Sequence, residues 1–301
     1  MPTAWSTSAT AGSAIRGSRS RRWDQTARCG SLRTWRWASP TQSSRPTSPR
    51  TRSSSDAGWS VAVSDPRPLL EALGVSRTYP GTVEVVAVRH ASLELRSRDF
   101  TLLMGPSGSG KTSFLGMLAG FDPPDEGEVR WRDTPFDRLT RDELLAVRRT
   151  EMSVIFQSYG LLPSLTAVEN VELPLRIAGT PLDEARTRAT GWLDRLDLGH
   201  RLNHRTFELS GGQQQRVAVA RALVVEPAVI LADEPIAEVD SENADLILSA
   251  LWEVVVRDGA VLAATHNPEA LRYASRVILF RDGVIDAEGS PDEVTAQLTT
   301  D

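Results

Sequence analysis

Gly105-Pro106-Ser107-Gly108-Ser109-Gly110-Lys111-Thr112, followed by Ser113, is the stretch that decides how this chain folds. It fits the phosphate-binding pattern GxxxxGK[ST]. Phe100-Thr101-Leu102-Leu103-Met104 runs directly into it and reads as a short buried strand. The residues from Thr112 to Ala119 read as a helix, closed by Gly120. Strand, glycine loop and helix in that order give the motif its meaning. The glycines let the backbone turn tightly and aim its N–H groups inward, and the start of the helix adds a positive end to the same site. The expected anion-binding set is therefore Gly105, Pro106, Ser107, Gly108, Ser109, Gly110, Lys111, Thr112 and Ser113. Lys111 would reach the terminal phosphates of a nucleotide, and the Thr112 hydroxyl would ligate Mg²⁺. Lys111 is also the only lysine of the chain; arginine supplies every other basic residue. A compact ammonium fits between phosphate oxygens where a planar guanidinium fits badly.

A second constellation follows about a hundred residues later. Leu209-Ser210-Gly211-Gly212-Gln213-Gln214-Gln215-Arg216 places a serine and two glycines just before a helix-like run from Gln213 to Leu223. A hydroxyl and free N–H groups at a helix start make another phosphate cradle. One nucleotide does not need two cradles from one domain, so this one is expected to serve the ATP held by a second copy. Ala228-Val229-Ile230-Leu231-Ala232-Asp233-Glu234 then reads as a buried strand ending in two acids. Asp233 is expected to hold Mg²⁺ and Glu234 to polarise an attacking water. A further apolar run, Gly259 to Thr265, delivers His266 where a contact to the last phosphate is wanted.

Composition narrows the remaining possibilities. The length suits one large or two small domains. No run approaches the roughly 18 apolar residues of a membrane span, so any membrane role must come through a partner. Cys29 is the sole cysteine, which removes disulfide frameworks and cysteine metal sites and fits a reducing cytoplasm. The net charge of −5 hides an asymmetry. Residues 1–60 hold ten arginines against Asp24 and Asp56, with Trp5, Trp23, Trp35, Trp37 and Trp59, but no strand or helix period. Residues 1–66 are expected to be a disordered Arg/Ser-rich segment. An organellar transit peptide and a nucleic-acid-binding arm are alternatives, although no nucleic-acid partner is expected. The preferred reading is that this stretch is not native protein: GC-rich DNA translated upstream of the true start, near Val61 or Val63, gives such a composition.

Taken in order, these motifs resemble the ATP-binding-cassette family, specifically the nucleotide-binding subunit of an ABC transporter, over about residues 68–300. The resemblance implies an α/β fold: a P-loop NTPase cassette with a RecA-like parallel-sheet core, a small antiparallel β-subdomain near the adenine and a helical subdomain at about 140–208. The cassette would span 67–301. Tyr79 stands where the family places an aromatic that stacks on adenine. Gln157, in Val154-Ile155-Phe156-Gln157, matches the glutamine that senses Mg²⁺ and the last phosphate. Ser210, Gly211, Gly212 and Gln213 match the signature that closes over the partner's ATP. Asp240 matches the aspartate that crosses the dimer interface, Glu234 the catalytic glutamate and His266 the switch histidine.

The run from Phe156 to Val171 is similar to the branch serving lipoprotein release, macrolide efflux, antimicrobial-peptide resistance and cell division. There the loop after Gln157, with Tyr159, Leu161 and Leu162, faces a permease. The resemblance implies ATP and Mg²⁺ as cofactors and a homodimer or paired cassette. An integral membrane permease would hold the protein at the cytoplasmic face of the cell membrane. A soluble or scaffold ABC ATPase that moves no cargo is the alternative. One departure stands out. The branch has Thr-Gly-Asn-Leu-Asp after Glu234-Pro235, whereas this chain has Ile236-Ala237-Glu238-Val239-Asp240. In the phosphate loop, Thr112-Ser113 reverses the more common Ser-Thr order and keeps a hydroxyl on the metal.

Overall fold

The structure is a computed structural model that describes residues 67–82 and 84–298. The chain divides into two units, Met1–Trp59 and Ser60–Asp301, and the described residues all lie in the second. The readings of residues 1–66 fall outside them.

Strands β1 (Leu70–Tyr79) and β2 (Val85–Leu95) come first, and β3 (Phe100–Met104) then leads into the phosphate loop and helix α1 (Lys111–Leu118). Next are β4 (Glu126–Trp131), β5 (Thr134–Pro135), α2 (Arg141–Thr150), β6 (Met152–Ile155), α3 (Ala167–Ile177), α4 (Leu182–Arg195) and α5 (Gly211–Leu223). The described chain ends with β7 (Val229–Asp233), α6 (Ser241–Val256), β8 (Ala260–Ala264), β9 (Arg276–Arg281), β10 (Val284–Gly289) and α7 (Pro291–Leu298).

One sheet has the order β10-β9-β3-β8-β7-β6. Its strands from β9 to β6 are parallel, and β10 closes the edge antiparallel to β9. Asp282 and Gly283 turn that hairpin with φ of 50° and 81°, the positive pair that a two-residue loop needs to follow the strand twist. The central strands β3, β7 and β8 are buried at every residue, as strands covered on both faces must be. Successive side chains enter opposite layers. Leu102, Ile230 and Val261 pack among α3 to α6 on one side. Leu103, Leu231 and Leu262 pack beneath α1 and the second sheet on the other. That second sheet is antiparallel, in the order β2-β1-β4-β5.

Two features go beyond what the sequence pattern shows. The small antiparallel β-subdomain holds strands of 10 and 11 residues, because β1 shifts register several times along β2 and so stays paired beyond its apolar pattern. The stretch at 140–208 is not wholly helical. Met152–Ile155 pairs with Val229–Ala232 and forms the far edge of the parallel sheet. Four residues carry too little periodicity to be read alone; the partner strand decides their state.

Helix starts in this half are set by reciprocal caps. Thr140 with Glu143, Thr166 with Glu169, and Ser210 with Gln213 each satisfy backbone N–H groups in both directions. The segment before α3 is fastened from within. Asn170 is fully buried; its Oδ1 accepts from Leu162 N at 2.8 Å, and its Nδ2 donates to the carbonyls of Leu162, Leu165 and Thr166. Asn170→Ala would orphan these groups and is expected to cost about 2–4 kcal/mol, lowering the thermal midpoint by roughly 4–16 °C. A midpoint within about 1 °C of the parent in a thermal melt would contradict that role.

Candidate active site

β3 ends at the loop from Gly105 to Gly110, and the loop's path is dictated by its walls. A Cβ on Gly105 would lie 2.0 Å from the Phe280 carbonyl oxygen, and one on Gly110 2.1 Å from that of Ala87. Their φ angles are 153° and 104°. Only glycine fits both the space and the backbone there. Lys111 is 8% exposed, and its Nζ donates to the Gly105 and Pro106 carbonyls at 2.8 Å each. The ammonium is thus folded over its own loop, at the mouth of an open cleft of about 1000 Å³.

The same cleft collects residues from distant parts of the chain. Tyr79, Gln157, Asp233, Glu234 and His266 line it together with the whole set from Gly105 to Ser113. The Thr112 hydroxyl donates to Asp233 Oδ2 at 2.7 Å. Burial pushes the Asp233 carboxyl up and the charge of Glu234 adds to this; the Thr112 bond and the Lys111 charge pull the other way. A hydroxyl and a carboxylate side by side, with the Gln157 amide on the same cleft, are hard oxygen donors suited to Mg²⁺. The residues fit the ion, and a cation there would offset the cost of burying Asp233. Among the described residues no group of three or more His, Cys, Asp and Glu could hold a metal, so the site rests on this mixed set.

Glu234 follows β7 in a left-handed conformation, φ 50°, with its N–H bonded to the Ala264 carbonyl at 2.8 Å. Its carboxylate contacts His266 Nδ1 at 2.8 Å and accepts from Thr265 Oγ1 at 3.1 Å. Glu234 is mostly covered, whereas His266 is exposed to the cleft. A carboxylate held by two groups and facing an open cleft is arranged to orient a water. Tyr79 lies at the other end. Its hydroxyl donates to Asp122 Oδ2 at 2.6 Å, and the Arg77 guanidinium sits over its ring, 5.1 Å from the centroid.

Ser210, Gly211, Gly212, Gln213 and Asp240 do not line this cleft. Ser210 caps α5: its Oγ accepts from Gln213 N at 3.3 Å while its N–H donates to Gln213 Oε1 at 3.0 Å. Asp240 caps α6 through Asn243. The second cradle is thus well formed but lies outside this cleft, in keeping with a role toward another molecule's nucleotide. Arg89 and Asp282 also line the cleft; sequence reasoning missed them and Thr265, which holds Glu234. Thr265 has a signal in its place beside His266. Arg89 has none, because alternation along β2 marks it only as exposed, and Asp282 reads only as a turn residue.

The pattern that describes the ABC transporter family matches residues 88–237. An uncharacterized ABC transporter ATP-binding protein of Thermotoga maritima is 40% identical over 219 residues, covering 72% of this chain and 94% of that protein. The macrolide export ATP-binding/permease protein MacB of Hyphomonas neptunium is 41% identical over 231 residues. This chain spans only about a third of that relative's length, 36% of it against 76% of this chain. Among solved structures, the dimeric bacterial ABC transporter cassette MJ0796 superposes with a TM-score of 0.70 at 37% identity, over 74% of this chain and 98% of that one. The same cassette has been solved as a dimer in a post-hydrolysis state bound to ADP and Pi, with the same TM-score and identity. With its phosphate loop, paired acids and separate signature cradle in place, this chain belongs to the ABC transporter family, as an ATP-binding cassette ATPase.

Proposed function

We propose that two copies of this chain sandwich two ATP molecules and drive an integral membrane permease. The observation that carries the reading is the division of labour described above. Lys111, Thr112, Asp233, Glu234 and His266 share one cleft, while the Ser210–Gln213 cradle is capped and lies outside it. Each ATP would lie between the phosphate loop of one copy and Ser210, Gly211 and Gly212 of the other, with Asp240 near the junction and Tyr79 at the adenine end. Thr112, Asp233 and Gln157 would hold Mg²⁺, which offsets phosphate charge. The Lys111 ammonium swings from the Gly105 and Pro106 carbonyls to phosphate oxygens. Glu234 orients and deprotonates the attacking water, His266 fixes the Glu234 carboxylate, and burial excludes bulk solvent from it. The cassette is residues 67–301, with its helical part at about 140–208.

Among the described residues no helix is long and apolar enough to cross a membrane. A groove of about 410 Å³ beside the Gln157 loop exposes Phe121, Phe156 and Ile177. Phe121 and Phe156 stack there at 5.7 Å. Exposed apolar side chains gathered around a site-linked loop fit a helix of the permease, and this contact would hold the protein at the cytoplasmic face of the membrane. Leu162 is exposed nearby, whereas Leu161 packs against the core. A tagged Glu234→Gln chain, mixed with mildly solubilised membranes, ATP and Mg²⁺, is expected to retain a polytopic permease. Ile177→Asp should reduce that yield about tenfold or more by placing an unpaired charge in the groove. Recovery of soluble proteins alone, with no membrane association, would favour the soluble ATPase instead.

A further inference from the structure

Glu238 sits in the part of the chain that departs from its branch, and it joins three functional segments. Its carboxylate accepts a hydrogen bond from the Tyr159 hydroxyl. Its Oε2 comes so close to the first turn of α5 that a Cβ on Gly211 would lie 2.7 Å away, while Gly212 faces Val239 Cγ1 at 3.2 Å on the same scale. Tyr159 is two residues beyond Gln157 and holds φ at 63°, an uncommon value for a bulky residue. Arg221 fixes it there, donating to the Tyr159 and Gly160 carbonyls at 2.8 and 2.5 Å. Burial and the Glu238 carboxylate together push the Tyr159 phenol up to about 12, so it stays a donor at all physiological pH values.

The position of this carboxylate has an electrostatic consequence. The first N–H groups of α5 give that end of the helix a partial positive charge. Ser210 satisfies Gln213 N only, which leaves the N–H groups of Gly211 and Gly212 for an incoming anion. Glu238 places a negative charge beside them in the single copy.

We infer that Glu238, held by Tyr159, is a positioning residue that guards the signature cradle and sets the ATP concentration at which two copies close. The inference rests on the sandwich reading above. The arriving phosphates of the partner's ATP and the Glu238 carboxylate compete for the same positive helix end, so closure requires Glu238 to move away. Because Glu238 bonds to Tyr159, that movement also frees the loop carrying Gln157. Nucleotide capture at one cradle is thereby linked to the loop beside the permease groove.

The test is the ATP concentration giving half-maximal dimer, read by light scattering with Mg²⁺ in the Glu234→Gln background. Adding Glu238→Gln removes the charge at nearly constant size and is expected to lower that midpoint about threefold. Tyr159→Phe frees the carboxylate to turn to solvent and should shift the midpoint in the same direction by a smaller factor. With Glu234 intact, Glu238→Gln should lower KM for ATP about threefold and change kcat less than about twofold. A side chain that merely braced the fold would raise the midpoint when altered. An unchanged or raised midpoint in a chain that still dimerises would overturn the guard. If Glu234→Gln alone formed no dimer with ATP, the sandwich itself would fall, and the guard with it.

Discussion

Glu234→Gln is expected to cut steady-state ATP turnover by about 100-fold or more, the range associated with losing a general base. ATP binding should survive. The carboxamide keeps the size of the side chain and can still meet Thr265 Oγ1 and His266 Nδ1, which hold the parent carboxylate at 3.1 and 2.8 Å. It cannot take a proton from water. Lys111, Thr112 and Asp233 are untouched, so the nucleotide remains bound and the closed pair accumulates. Two readouts together check this: phosphate release, and mass by light scattering with and without ATP. A variant that stayed monomeric in ATP while losing turnover would contradict the sandwich. Turnover within about fivefold of the parent would instead remove Glu234 from the base role.

Lys111→Ala is expected to weaken ATP binding by about 100-fold or more, because a charge-assisted contact to phosphate in a largely buried site disappears. The ammonium is nearly covered and bonds only to loop carbonyls, so its removal changes the fold less than it changes binding. Lys111→Arg should not restore the parent affinity. The guanidinium is planar and wider, and the loop around it is confined by the Phe280 and Ala87 carbonyls. Fluorescent-nucleotide titration measures both variants, with thermal melts as the check on folding. Full affinity in Lys111→Arg would show that charge alone suffices and that the loop's shape does not select the ammonium.

Local features were legible in the sequence because their physics is local. The run from Gly105 to Thr112 needs particular residues within one turn of chain, and the cap at Ser210 is satisfied three residues away. The buried strands β3, β7 and β8 show as apolar runs because both faces are covered. β6 was missed because four residues carry no period of their own, and the lengths of β1 and β2 were missed because bulges break the alternation. Arg89 was missed because nothing in its immediate neighbours distinguishes a cleft wall from an ordinary strand surface.

By itself the sequence pointed to a nucleotide-phosphate site built on a glycine loop and a single lysine, with two acids closing a strand beside it. Those choices are forced by backbone sterics and by the charge of the ligand, and they need no distant partner. Only the tertiary structure decided which pieces act together. Thr112 meets Asp233 across 121 residues, and Tyr159 meets Glu238 across 79. The signature cradle lies outside the cleft, although both are equally plain in the sequence. Strand order and helix packing fix such long-range contacts by burying apolar faces, and the same burial admits many partners until the whole sheet is assembled.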